Sequence, residues 1–167
     1  MIEINFLVTA LAALIPMVVG AIWYNPKVLG NAWMKSTGLS EEQLKGANMP
    51  LIFGLSFVFS FLIALMLNPM VIHQFGFQSM LMGEPELFTE GSEANMFFTS
   101  TLDKYGTAFR TFKHGSMHGT ILGVLFATPI IGILALFERK GAKYILIHAG
   151  YWIISLALMG GVICQFP

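Results

Sequence analysis

Residues 51–72 read LIFGLSFVFSFLIALMLNPMVI, a run without a charged side chain. About 20 residues of helix cross the hydrocarbon core of a bilayer. Apolar and polar residues do not alternate in this run, so its pattern favours a helix over a strand. It therefore predicts a transmembrane helix, which Asn68-Pro69 should end or bend.

Three further runs have the same character. The chain is 56% apolar and only 11% charged over 167 residues, whereas soluble domains carry roughly 25% charged residues. We predict an all-α, integral membrane four-helix bundle that forms a single domain over residues 1–167. The predicted spans are about residues 4–24, 51–72, 115–137 and 144–166.

The placement of lysine and arginine predicts the orientation of the bundle. The two shorter connections together carry six of them: Lys27, Lys35, Lys45, Arg139, Lys140 and Lys143. The long connection, about residues 73–113, carries three, Lys104, Arg110 and Lys113, among several acidic residues. We therefore expect both termini and the long connection to lie outside.

Both the long and the first connection contain helical patterns. Apolar residues follow one another at spacings of three and four in the long connection: Phe98, Leu102, Tyr105, Phe109 and Phe112. This spacing predicts an amphipathic helix that lies on the outer membrane–water boundary or leads directly into the third span. In the first connection, Ser40 followed by Gln43 is a capping-box pattern, which predicts a short helix through Lys45.

Small residues indicate where the spans pack. Gly115, Gly119 and Gly123 stand four apart in the third span, and Ser56 and Ser60 do so in the second. Small residues at this spacing allow two helix backbones to approach closely. They predict tight internal packing, a subunit interface, or both. Two further residues, Pro16 and Pro129, should bend the first and third spans.

Histidine is the one residue type whose placement suggests chemistry. His114 and His118 lie one helical turn apart, and the predicted topology puts His73 in the same leaflet. Three imidazoles, completed by Glu84, Glu86 or a water, are a ligand set that suits zinc. The competing interpretation is that these histidines only form hydrogen bonds at the membrane boundary.

The remaining histidine, His148, is predicted to lie elsewhere. By helix rise, its depth differs from that of His118 by roughly 20 Å. One site therefore should not contain both residues.

Several functions are disfavoured. The formal net charge is zero, and nucleic-acid binding usually needs a basic excess. A lone Cys164 excludes an internal disulfide and a multi-cysteine metal site. The apolar spans contain no Asp, Glu, Lys or Arg, and the chain has no nucleophile elbow, P-loop or dinucleotide motif. We expect neither an enzyme nor an ion pump.

The stretch from Trp23 to Gly30, WYNPKVLG, followed by Ala32-Trp33-Met34, resembles the segment after the first helix in domain-of-unknown-function family 1761. His114-Gly115 and Gly150-Tyr151 are also similar to that family. The resemblance runs through essentially the whole chain. It implies a small multi-helix membrane protein of bacterial type, in the cytoplasmic (inner) membrane, and no site residues.

Two functional hypotheses follow. The first is a structural role within the lipid bilayer, as a homo-oligomer or as an accessory subunit with other membrane proteins. The second is a binding or permeation protein for a small ligand, metal or ion that uses the outer histidines; conduction would require an oligomer.

Overall fold

The structure is a computed structural model, and it describes residues 1–166. Within that range every regular element is a helix. Four helical segments are long and apolar enough to cross a bilayer: Phe6–Trp23, Met49–Val71, Phe112–Phe137 and Ala142–Gln165. They are called spans one to four. The four predicted runs are thus helices long and apolar enough to cross a membrane, with ends that differ from the prediction by a few residues.

The α-helices are numbered in chain order. In span one they are α1 (Phe6–Ala13) and α2 (Ile15–Trp23). The first connection holds α3 (Asn31–Thr37) and α4 (Glu41–Lys45). Span two is α5 (Met49–Val71), and the long connection holds α6 (His73–Leu81) and α7 (Glu93–Tyr105). Span three contains α8 (Phe112–Leu122) and α9 (Thr128–Phe137), and span four is α10 (Ala142–Gln165).

Spans one and three are interrupted next to the prolines that were predicted to bend them. In span one, α1 ends at Ala13 and α2 begins one residue before Pro16. In span three, a π-helical turn, Gly123–Ala127, precedes Pro129. Proline lacks the amide hydrogen that a regular turn requires, so local changes in helical pitch accommodate it. A second π-helical turn, Pro26–Gly30, follows span one.

Span four is the centre of the bundle. It contacts spans one, two and three, and its Met159 and Ile163 are almost completely buried. The glycines of span three lie directly against it. A side chain at Gly115 would collide with the Gly160 carbonyl, and one at Gly119 with the Leu156 carbonyl.

The small residues of span two also face inward. Ser60 is buried and Ser56 is half-buried. Asn68, farther along the same helix, is buried and donates hydrogen bonds to Thr9 Oγ1 at 3.2 Å and to the Ala64 carbonyl at 2.9 Å. Spans one and two are thereby linked by a polar contact in an apolar interior.

The capping-box prediction is confirmed. Gln43 N donates to Ser40 Oγ, and Ser40 N donates to Gln43 Oε1 at 2.9 Å, so both ends of the motif are formed. The helix that it begins, α4, ends at Lys45 as expected. Near this helix, Lys140 Nζ donates a hydrogen bond to the Thr37 carbonyl at 2.7 Å. This bond joins the two shorter connections, one between spans one and two and the other between spans three and four.

The long connection differs from its prediction. Span two continues through Pro69 to Val71 and is broken at Ile72, whose φ of −110° and ψ of 99° are extended. The chain then forms α6, a helix that the sequence analysis did not predict. Proline removes one hydrogen bond from the preceding turn, but neighbouring helices allow a membrane helix to continue past it.

The predicted amphipathic helix is also shorter than expected. Its helix, α7, ends at Tyr105, so Phe109 and Phe112 do not belong to it. Phe109 has a left-handed backbone, with a φ of 61°, and Phe112 begins α8. The apolar spacing therefore continued across a turn that separates two helices.

Candidate metal centre

Three histidines meet at one end of the bundle. Nε2 of His114 lies 2.8 Å from Nε2 of His73 and 3.1 Å from Nε2 of His118. One ring nitrogen from each of the three lies within 4.8 Å of the other two. We call His73, His114 and His118 the histidine cluster. Two of its rings are half-buried, and His73 is exposed.

The local fold explains how distant residues meet. His114 and His118 lie on α8 one turn apart, so their side chains project from the same side of the helix. Thr111 Oγ1 accepts a hydrogen bond from His114 N at 3.2 Å and fixes the start of that helix. His73 is the first residue of α6, directly after the break at Ile72. The break ends span two and places His73 beside α8.

Hydrogen bonds hold the segments on either side of the histidine cluster. Gln74, next to His73, is buried, and its Nε2 donates to the carbonyls of Tyr105 and Ala108 at 2.9 Å each. The Cys164 thiol lies 3.3 Å from the Val71 carbonyl and 3.4 Å from the Phe109 carbonyl. These contacts join α6, the 105–109 segment and the end of span four.

A charged group adds one more of these contacts. Arg110 Nε donates to the Cys164 carbonyl at 2.8 Å. Burial lowers the pKa of the Arg110 guanidinium, but an arginine remains charged at every ordinary pH. Arg110 directly follows Phe109, and the Cys164 thiol contacts the Phe109 carbonyl. Both contacts hold the turn at Phe109 against the end of span four.

Phe109 covers one side of the histidine cluster. Its ring centre lies 5.1 Å from that of His114 and 6.0 Å from that of His73. A left-handed backbone is costly for a bulky residue, and such strain concentrates at functional sites. Sequence reasoning missed this residue as part of the site, because its spacing suggested an amphipathic helix.

A family model described as "Protein of unknown function (DUF1761)" matches residues 7–164, nearly the whole chain. The chain belongs to the DUF1761 family. This confirms the resemblance seen around Trp23 to Gly30 and at His114-Gly115. No curated protein and no solved structure matches this DUF1761 chain.

In the histidine cluster of this DUF1761 protein, one nitrogen, Nε2 of His114, has more close neighbours than it can bind with well-directed hydrogen bonds. Each imidazole nitrogen has a single in-plane position, which holds either a proton or a lone pair. Nε2 of His114 has two neighbours within hydrogen-bond distance, so it cannot form a well-directed hydrogen bond to both. A cation placed between three lone pairs would satisfy all three at once.

The spacing also fits a metal ion. Zinc–nitrogen bonds of about 2.0–2.1 Å in a tetrahedral site put the nitrogens about 3.3–3.4 Å apart. The two distances to His114 Nε2 are slightly shorter, and the three ligand nitrogens all lie within 4.8 Å of one another, so small movements of the rings would bring them to this spacing. Three protein ligands leave one position of a tetrahedral site open.

Glu84 and Glu86, considered as the fourth ligand, do not belong to the cluster. Within residues 1–166 the group that could hold a metal contains only the three histidines. Both glutamates instead line a shallow cleft with Glu93 and Phe97. Both glutamates lie in the turns between α6 and α7, outside the cluster.

His148 lies apart from the histidine cluster, at the opposite end of the bundle. Its Nδ1 is 3.0 Å from the Tyr24 hydroxyl, a hydrogen bond that sequence reasoning did not predict. Burial and the neighbouring Tyr151 raise the pKa of Tyr24, so this phenol keeps its proton. The pair joins the end of span one to span four.

Proposed function

We propose that this protein binds a divalent metal ion, best matched by zinc, through His73, His114 and His118 at the membrane boundary. The observation that carries the proposal is the convergence of three Nε2 atoms from two separate segments of the chain. Neutral imidazole is a common ligand for zinc and for other first-row transition metals.

A purely hydrogen-bonded cluster is the competing hypothesis. It accounts for both short contacts of His114 with neutral rings only if His73 and His118 both donate to the single Nε2 lone pair of His114. Since that lone pair has one direction, at most one of these two hydrogen bonds is well directed. Metal binding accounts for both contacts with neutral rings.

The assembly hypothesis has less support from the contacts. Its basis was the faces of small residues, and Gly115, Gly119 and Gly123 all lie against span four of the same chain. Ser60 is likewise buried within the chain. We infer that these faces serve internal packing.

Metal analysis of the detergent-purified protein tests the proposal. After incubation with zinc and removal of unbound ion, we expect about one zinc per chain. His118→Ala should lose it, because two imidazoles remain. His148→Ala, which removes a histidine at the opposite end, should retain it. Substoichiometric metal that His118→Ala leaves unchanged would contradict the proposal.

A further inference from the structure

An apolar groove runs along the bundle between spans two, three and four. It encloses about 570 Å³, within the usual range for ligand sites, and every residue that lines it is apolar or aromatic. Residues from all three spans contribute to its walls, among them Met66, Met70, Leu122, Phe126, Ile130 and Trp152.

The histidine cluster stands at one end of this groove. On span three, the ridge that begins with His114 and His118 continues one turn later with Leu122, which lines the groove. On span two, Met70 lines the groove three residues before His73. The apolar walls and the histidine nitrogens thus follow one another along span three and across the break that ends span two.

The groove opens outward, toward the bilayer. Met66 and Phe126 form part of its walls and remain 61% and 64% exposed on the isolated chain. Hydrocarbon rather than water surrounds such residues in a membrane. The occupant that matches the groove is therefore an extended hydrocarbon chain.

The charge of the proposed metal site indicates which headgroup should be attached to that hydrocarbon chain. Three neutral imidazoles leave the double charge of a bound metal uncompensated, and the described chain brings no carboxylate into the cluster. An anionic oxygen ligand would supply both the fourth bond and the missing negative charge. An uncharged lipid brings no such group.

We propose that the protein binds a membrane lipid with an anionic headgroup, whose hydrocarbon chain lies in the groove and whose headgroup oxygen binds the metal. This inference rests on the metal site proposed above. It makes the histidine cluster and the groove the two halves of one amphipathic ligand site.

Cobalt-loaded protein and palmitate test the inference in detergent. The visible absorption of four-coordinate cobalt reports on the ligand that fills the open position. Acetate has the same headgroup without a long chain, and hexadecanol has the chain without a charge. Each buried methylene adds to the binding free energy, so we expect palmitate to shift the cobalt bands at a concentration at least about tenfold lower than acetate. Hexadecanol should leave the bands unchanged.

Two tryptophan variants separate the groove from partitioning of palmitate into micelles. Met66→Trp fills the groove, whereas Leu125→Trp places the same ring at a position that is 72% exposed and outside the groove. Met66→Trp should retain cobalt and require at least about tenfold more palmitate, while Leu125→Trp should respond as the unmodified protein does. If Met66→Trp fails to load cobalt, Ile130→Trp, another groove position, provides the same test.

The outcomes distinguish this inference from the metal proposal. A protein that binds no cobalt would contradict both. A protein that binds cobalt, but whose palmitate response is equal in Met66→Trp and Leu125→Trp, would overturn the lipid site and leave the metal site standing. A native mass of two chains that Met66→Trp reduces to one would instead assign the groove to a second copy.

Discussion

At the residue scale, the geometry of the histidine cluster depends on His114, because its Nε2 contacts the Nε2 atoms of both His73 and His118. His73 and His118 are each held by a different feature, the break at Ile72 and the regular turn of α8. Phe109 then covers the rings. The site is thus built from two helix ends and one strained turn.

Metal affinity should depend on pH. An imidazole must be unprotonated to bind a metal, and the ordinary pKa of histidine is about 6.5. Protons therefore compete more strongly as the pH falls, and we expect the zinc dissociation constant to rise at least about tenfold between pH 7.5 and pH 5. Competition titration with a chelator at each pH measures it. An affinity that stays constant over this interval would mean that the metal is held by other groups.

The meeting of His73 with His114 and His118 followed from counting positions along predicted spans. Residues that end one span and begin the next must lie at the same end of a bundle. The hydrogen bond between Tyr24 and His148 did not follow from such counting, since it depends on how two helix ends are rotated toward each other. The same limit hid the contact of Phe109 with the rings.

At the element scale, the packing of span three on span four should be sensitive to side-chain size. A leucine at Gly119 would meet the backbone of Leu156 and Ala157, which cannot move aside as a side chain can. We expect Gly119→Leu to lower the melting temperature in detergent, with a loss of stability of at least about 1–3 kcal/mol.

Gly132 provides the matched control. It lies in the same span, and a β-carbon added there would meet nothing within 4 Å. Gly132→Leu should change the melting temperature little. Equal, small effects of the two substitutions would show that the helices do not pack closely at Gly119.

The helices of the long connection were harder to predict than the spans. Hydrophobic length identifies a membrane helix almost independently of its neighbours. By contrast, the end of α7 at Tyr105 and the turn at Phe109 depend on contacts with distant residues, including Cys164 and Gln74. Apolar spacing alone does not contain that information.

At the scale of the whole molecule, orientation decides from which side the metal and its ligand reach the protein. Lysine and arginine placement predicts that the long connection lies outside. In a Cys164→Ala background, Thr89→Cys should therefore react with a membrane-impermeant maleimide in intact cells, and Gly141→Cys should react only after permeabilisation. Both positions are exposed on the chain. The opposite pattern would place the histidine cluster on the cytoplasmic side.

The central claim is that three histidine nitrogens bind one metal ion, and X-ray absorption at the zinc edge of the loaded protein tests it most directly. We predict three imidazole nitrogens at about 2.0–2.1 Å and one further light ligand, whereas His118→Ala, which should not retain zinc, should give no such spectrum. A sulfur ligand at about 2.3 Å, or a spectrum of oxygen ligands alone, would contradict the claim.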